Sequence, residues 1–352
     1  LERIQDKASQ RYILPRFFCV KKKEFLNKTN ELKYLVYILL FCFSTLKAQN
    51  LITNPSFEEI DSCYGQPAEI GFDVFKWSGC KGWSNPIKSS SDLWCQNPVV
   101  GSQVPPNVIG YQIPKEGKNM AGIWVNGGNI ISYREFIQNE IKIPLVSGKT
   151  YKISFYYSLA WGSESGFCPA NQFGVYGSEI ELRDTSAFWL SQLSPLGVSN
   201  VTDFIDDTLN WSLYEITFTA SGGEKFLTIG NFQDSTNTTF NEPCDTSLWN
   251  GISYAGTYYY LDDFSLNEYF DFEIPNVFTP NGDHVNDSFL PKVINISDWE
   301  LTIFNRWGNT IKVLNHVNSN WDGSEATDGV YYYLFKSNER QIVKQGFISI
   351  IR

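Results

Sequence analysis

Histidine is nearly absent from this chain: two in 352 residues, His284 and His316, both beyond position 280. That scarcity excludes a histidine-based zinc site or a Ser–His–Asp hydrolase from the larger, earlier part of the sequence. No apolar run reaches the roughly 20 residues that a membrane-spanning helix needs. The longest is YLVYILLFCFSTL, residues 34–46, preceded by Lys21, Lys22, Lys23, Lys28 and Lys33 and followed by Lys47. A short apolar core behind a basic stretch is the form of a signal peptide, with cleavage expected near Ala48–Asn50. The rival, a lipid anchor on Cys42, meets bulky Phe41 where a small residue belongs. The only methionine is Met120, and residues 1 to about 25 are read as an extension upstream of a non-Met start. Basic residues are scarce after position 49, where 18 Lys and Arg face 34 Asp and Glu, a net charge of −16. So acidic a body argues against nucleic acid and anionic membrane surfaces as partners.

Cysteine is also sparse and unclustered. With Cys19 and Cys42 in the leader, Cys63, Cys80, Cys95, Cys168 and Cys244 remain. Export makes disulfides the default, and an odd number leaves one thiol over. The expected pairs are Cys168–Cys244 and one drawn from Cys63, Cys80 and Cys95. No CxxC or Cys/His cluster supports zinc.

What the chain has in quantity is aromatic and turn-forming residues: 26 Phe, 19 Tyr, 11 Trp, 26 Gly and 15 Pro. Period-two alternation recurs at residues 149–159 (KTYKISFYYSL), 178–183 (SEIELR), 211–220 (WSLYEITFTA), 225–232 (KFLTIGNF) and 257–266 (TYYYLDDFSL). These read as half-buried antiparallel strands. Residues 185–207 come closest to a helical period, with room for one short helix before Pro195. A denser unit follows from about residue 273, with strands at 300–305, 330–336 and 346–351 between repeated turn signals. The fold expected is all-β: a jelly-roll β-sandwich over 50–268, then a small Ig-like β-sandwich over 273–352, with an N-terminal signal helix inside residues 1–49.

Five blocks in the last eighty residues carry a family resemblance. They are residues 274–289 (IPNVFTPNGDHVNDSF), 303–308 (IFNRWG), Trp321-Asp322-Gly323, 328–333 (DGVYYY) and 346–352 (GFISIIR). Together they resemble the gliding-motility-associated C-terminal domain, the type B sorting domain of the Bacteroidetes type IX secretion system. Its motif residues here are Asn281, Gly282, Asp283, Asn286, Asp287, Asn305, Arg306, Trp307, Gly308, Trp321, Asp322 and Gly323. His284 stands where that family usually has Gly. The resemblance implies recognition by the outer-membrane translocon and delivery of the upstream part to the cell surface or medium. Taken by themselves, Asn281, Asp283, Asn286 and Asp287 offer oxygen ligands to a hard cation, or Asx turns that bond their own backbone.

Residues 51–59 (LITNPSFEE) and 260–266 (YLDDFSL) resemble the two edges of galactose-binding-type carbohydrate-binding modules, whose first and last strands pair. That resemblance implies a structural calcium, the one cofactor in view, held by Glu58 with Asp262 or Asp263; the bland alternative is ordinary strand-edge carboxylates. Trp77, Trp83 and Trp94 fall in a Gly-, Ser- and Lys-rich segment, Trp161 sits beside Gly162 and Ser163, and Trp249 beside Asn250 and Gly251. Loop tryptophans stack on sugar rings, so these five are the candidate glycan site. Otherwise they cap a sandwich short of aliphatic core, as Trp124 and Trp211 do. Glu179 and Glu181 imperfectly resemble the acidic strand of jelly-roll glycosidases, where residues i and i+2 share a face. The competing reading is a solvated strand face with Ile180 and Leu182 inward. The expectation is a non-catalytic exported protein binding glycan or matrix; the rival is a structural or protein-binding surface component.

Overall fold

The computed structural model describes residues 49–61, 80–89, 91–96, 105, 107, 109–127, 133–160, 169–170, 173–184, 190–198, 206–233, 238 and 256–352. The signal run, the upstream extension, Trp77, Trp161, Trp249 and the Cys168–Cys244 pair lie outside these residues. The described part is all-β, with no helix, and no element in it is a helix long and apolar enough to cross a membrane.

Ten strands make two antiparallel sheets of five. They are β1 (Trp83–Ser84), β2 (Asp92–Cys95), β3 (Asn119–Gly127), β4 (Phe136–Glu140), β5 (Thr150–Leu159), β6 (Phe173–Ser178), β7 (Gly197–Val198), β8 (Ser212–Thr219), β9 (Phe226–Asn231) and β10 (Gly256–Glu268). One sheet runs β1-β4-β9-β6-β7 and the other β2-β3-β10-β5-β8. The alternation read in β5 is the cause of its placement: Tyr151, Ile153, Phe155 and Tyr157 are buried while Lys152, Ser154 and Tyr156 are half-buried on the opposite face. Phe155 stacks on Tyr214 at 4.5 Å and on Phe264 at 4.8 Å, and Phe173 of the facing sheet closes over it at 5.8 Å. Such ring pairs add about 0.5–1.5 kcal/mol each beyond area burial.

Strand β10 changes parity partway. Tyr259 and Leu261 point into the sandwich, and then a bulge between Asp262 and Ser265 turns Phe264 and Leu266 inward. Asp263 takes a left-handed φ of 52° at this bulge. The residues before the bulge with outward parity, Tyr258, Tyr260 and Asp262, therefore lie on the outer face of the sheet, buried there beneath other chain segments. The first described residues run beside β10: Leu51 N–H donates to Leu266 O at 2.8 Å and Phe264 N–H to Pro55 O at 3.0 Å.

Two expectations are corrected. Residues 178–183 are not a strand: β6 ends at Ser178, and the chain then leaves the sheet because Gln138 captures the backbone of Leu182. Ile180 is 78% exposed instead of inward, and Leu182 is half-buried. Of the segment expected to carry a helix, residues 190–198 are turn and β7.

The second body comprises β11 (Asp271–Glu273), β12 (Val277–Phe278), β13 (Lys292–Ile294), β14 (Glu300–Phe304), β15 (Thr310–Asn315), β16 (Gly329–Ser337) and β17 (Ile342–Ile350). Five form a sheet ordered β12-β17-β16-β14-β15, with β12 parallel to β17, and β11 pairs β13 separately. Tyr331, Tyr333 and Phe335 of β16 face a core of Trp299, Trp321, Phe278 and Phe289, while Tyr332 and Phe347 stay half exposed on the other face.

Candidate functional site

Trp83 is 4% and Trp94 1% exposed, so neither offers a ring face to a sugar. Trp83 packs on Phe57 and Phe264 and donates its indole N–H to Asn54 O at 2.8 Å. Trp94 lies in β2 and donates to the Tyr258 hydroxyl at 2.8 Å. Both serve the core, through partners remote in sequence. Trp124 is buried as expected, and Trp211 is half-buried with its N–H on Ile113 O.

Around Trp94 lies a constellation that the sequence did not announce. Tyr258 donates to Asp92 Oδ2 at 2.6 Å, and Tyr260 donates to Asn107 Oδ1 at 2.9 Å. Burial, and next the Glu135 carboxylate, push Asp92 well above the ordinary carboxylate range; the Tyr258 hydrogen bond pulls the other way. Asp92 Oδ1 and Asn107 Nδ2 are buried without a hydrogen-bond partner. Gly122 opens the space, since a Cβ there would fall 1.9 Å from the Tyr258 hydroxyl.

Glu58 and Asp262 meet at one loop. Glu58 Oε1 accepts the N–H groups of Lys118 and Asn119 at 2.7 and 2.9 Å; Asp262 accepts those of Glu116 at 3.0 Å and Asp263 at 2.7 Å. Gly117, at φ 69°, lets the loop close on the Glu58 carboxylate. Burial pushes Asp262 up to about 8 against the pull of these N–H donors; burial and then Glu116 raise Asp263 as well. Among the described residues no three His, Cys, Asp or Glu side chains converge as a metal cluster. Cys80 is free and buried, and burial drives its thiol upward. Cys95 is disulfide-bonded.

Glu179 and Glu181 do not share a strand face, since both lie beyond β6. Glu179 lies against Gly223, and Glu181 is held by Arg183, whose Nε and Nη2 donate at 3.0 and 3.2 Å. The Glu181–Arg183 pair forms a ridge between two open troughs on the outer side of the first sheet. One, about 630 Å³, includes Glu59, Lys81, Glu140 and Phe226; the other, about 790 Å³, includes Tyr176, Gln192 and Glu224.

In the second body most motif residues are tied into turns or core. Asp287 accepts the N–H groups of Gly282 and His284, both at 2.8 Å, and Asp283 accepts that of Val285. The Gly282 bond leads the interactions that hold the Asp287 carboxyl below its usual range. The Asn281–Asp283 and Asp283–Val285 bonds are Asx turns, whereas Asp287 reaches back across the loop, with Asn286 at φ 55° beside it. Asn305 Oδ1 accepts from Trp307 and Asn309, and Gly308 supplies φ 82°. Arg306 stacks on Trp307, which is 73% exposed. Trp321 is core, Asp322 accepts from Ser324, and Gly323 sits against Phe278. Terminal Arg352 binds Asp328 at 2.6 Å and the carbonyls of Gly323 and Ala326.

The second body is thus a small all-β unit built from fixed turns, with Arg352 tied back to Asp328. Residues 272–350 match the family CHU_C type IX secretion signal domain, from within β11 to the end of β17. A domain of that kind implies interaction with the secretion machinery and export to the cell surface or release. No curated protein matches the chain.

Proposed function

We propose that this chain is a surface-displayed or secreted protein, led out by the signal peptide at 34–46 and passed through the type IX translocon by its C-terminal domain. Its upstream sandwich is a non-catalytic jelly-roll module that binds glycan or matrix. The observation that carries the binding reading is the pair of troughs about Glu181 and Arg183. Their volumes are those of ligand clefts, and they combine carboxylates, a guanidinium and the half-buried rings of Phe226 and Tyr176. Hydrolysis is disfavoured because Glu181 is engaged by Arg183 and lies outside any strand that would pair it with Glu179 on one face.

Pulldown of the full chain on insoluble polysaccharides and a glycan array tests this. Arg183→Ala and Glu181→Gln should each reduce binding tenfold or more while leaving the far-ultraviolet spectrum unchanged. Binding that survives both, or none by the folded wild type, moves the weight to a structural or protein-binding surface component. The burial of Trp83 and Trp94 favours that second reading.

A structural calcium belongs to the same proposal. Asp262 is a buried acid beside Asp263 and Glu116, and a hard cation would offset its charge, with Glu58 bonded to the same 116–119 loop. Added calcium should then raise the melting temperature of the wild type and leave Asp262→Asn unmoved.

A further inference from the structure

Side chains of the signal domain reach back onto the upstream sandwich. Asn295, at φ 52° just past β13, donates its amide to Thr150 O at 2.6 Å and accepts Thr150 N–H at 3.2 Å. That reciprocal pair imitates one rung of a β-ladder at the first residue of β5. The same amide also donates to Tyr269 O. Arg340, in the β16–β17 turn, donates to Glu268 Oε1 at 2.6 Å and to Asn295 O at 3.0 Å, and its guanidinium lies 4.9 Å over the Phe270 ring. Glu268, the last residue of β10, also takes Lys149 Nζ at 3.0 Å. The matched domain begins at residue 272, so Asn295 and Arg340 lie inside it, and Lys149, Thr150 and Glu268 outside.

The receiving surface exists only in the folded sandwich. Tyr151 faces Glu268 in β10, so the Thr150 peptide and the Glu268 carboxylate come together only when β5 and β10 have paired. Arg340 is mostly buried, and its Nε has no partner, so this guanidinium depends on the acceptors it has. A contact between domains by default allows relative motion. The amide rung and the shared carboxylate oppose it.

We infer that Asn295 and Arg340 clamp the signal domain onto the folded sandwich, so that the signal is held in a fixed orientation only when its cargo has folded. The clamp is an intramolecular checkpoint, independent of any ligand the sandwich takes.

Hydrogen exchange, limited proteolysis and thermal unfolding of the full chain test this. In the wild type the Thr150 amide should exchange slowly, the 269–272 junction should resist cleavage, and unfolding should be a single transition. Asn295→Ala with Arg340→Ala should speed exchange at Thr150 and cleavage at the junction tenfold or more and split the melt in two, with β16 still protected. Glu268→Gln, which keeps the side-chain shape, should give a smaller change in the same direction. Phe155→Ala, which loosens only the sandwich core, should also expose the junction. Wild-type rates at Thr150 and the junction in both the double variant and Glu268→Gln would overturn the clamp. A junction still protected when Phe155→Ala has melted the sandwich would overturn the checkpoint.

Discussion

Tyr258 holds Asp92 by a 2.6 Å hydrogen bond on the outer face of the second sheet, and it accepts the Trp94 indole in turn. One phenol of β10 thus supports two buried polar groups of β2, across the intervening β3. Tyr258→Phe leaves Asp92 with no donor on either oxygen and Trp94 with no acceptor. Each buried group left unpaired costs about 1–3 kcal/mol, so a loss of at least 2 kcal/mol in urea unfolding is expected. Gly122→Ala should cost more, because its methyl would occupy the position of the Tyr258 hydroxyl. A change under about 0.5 kcal/mol in both variants would remove the relay from the account of this core.

Asp262 gives the sandwich an unusual response to pH. Its carboxyl is raised to about 8 in the folded protein, chiefly by burial. A carboxyl whose folded value exceeds its unfolded one, near 3.9, favours folding while it stays protonated. Its contribution is therefore complete below about pH 4 and is lost as pH climbs towards 8, at up to about 1.4 kcal/mol per pH unit. Urea midpoints across pH 4–8, without divalent cations, should fall for the wild type and much less for Asp262→Asn. Parallel curves for the two proteins would mean that Asp262 titrates normally.

Cys80 is expected to be chemically silent. It is buried, burial raises its thiol, with the carboxylates of Glu58 and Glu59 adding to the effect, and Asn54 Nδ2 lies 3.5 Å from its sulfur. Because the thiolate is the reactive species, a thiol reagent should label Cys80 only on unfolding. Peptide mapping after labelling in buffer and in guanidinium checks it; stoichiometric labelling in buffer would contradict the burial.

What could be read in the sequence is what is encoded locally. Strands β5, β8, β9 and β10 lie where alternation places them, because a period of two is a property of neighbouring residues. The signal domain was legible for the same reason: Asn305, Gly308 and Asp287 build turns from partners within five positions. Trp83 and Trp94 were misjudged because a Gly- and Ser-rich context resembles a loop, whereas their acceptors lie 29 and 164 positions away. The bulge that turns Phe264 inward left no trace in the alternation, and without it the side that buries Asp262 is undetermined. Nothing about Asn295 or Arg340 marked them in advance, since their roles depend on two domains meeting.

His284 completes the argument about turns. It occupies φ 69°, between Gly282 at 82° and Asn286 at 55°, in the loop where the resembling family usually carries glycine. A side chain in the left-handed region costs roughly 1–2 kcal/mol, while glycine gives back part of that gain through the entropy of its unfolded chain. His284→Gly should therefore stabilise the signal domain, by no more than about 1 kcal/mol. His284→Val should destabilise it by more than that, because a β-branched residue tolerates positive φ poorly. Both substitutions keep the residue-284 N–H that donates to Asp287 and both remove the imidazole's attraction for that carboxylate, so the difference between them reads backbone strain. Thermal melts of the full chain, followed at the exposed Trp307, would read both variants. If glycine lowers the transition as much as valine does, the imidazole contributes an interaction that outweighs the strain.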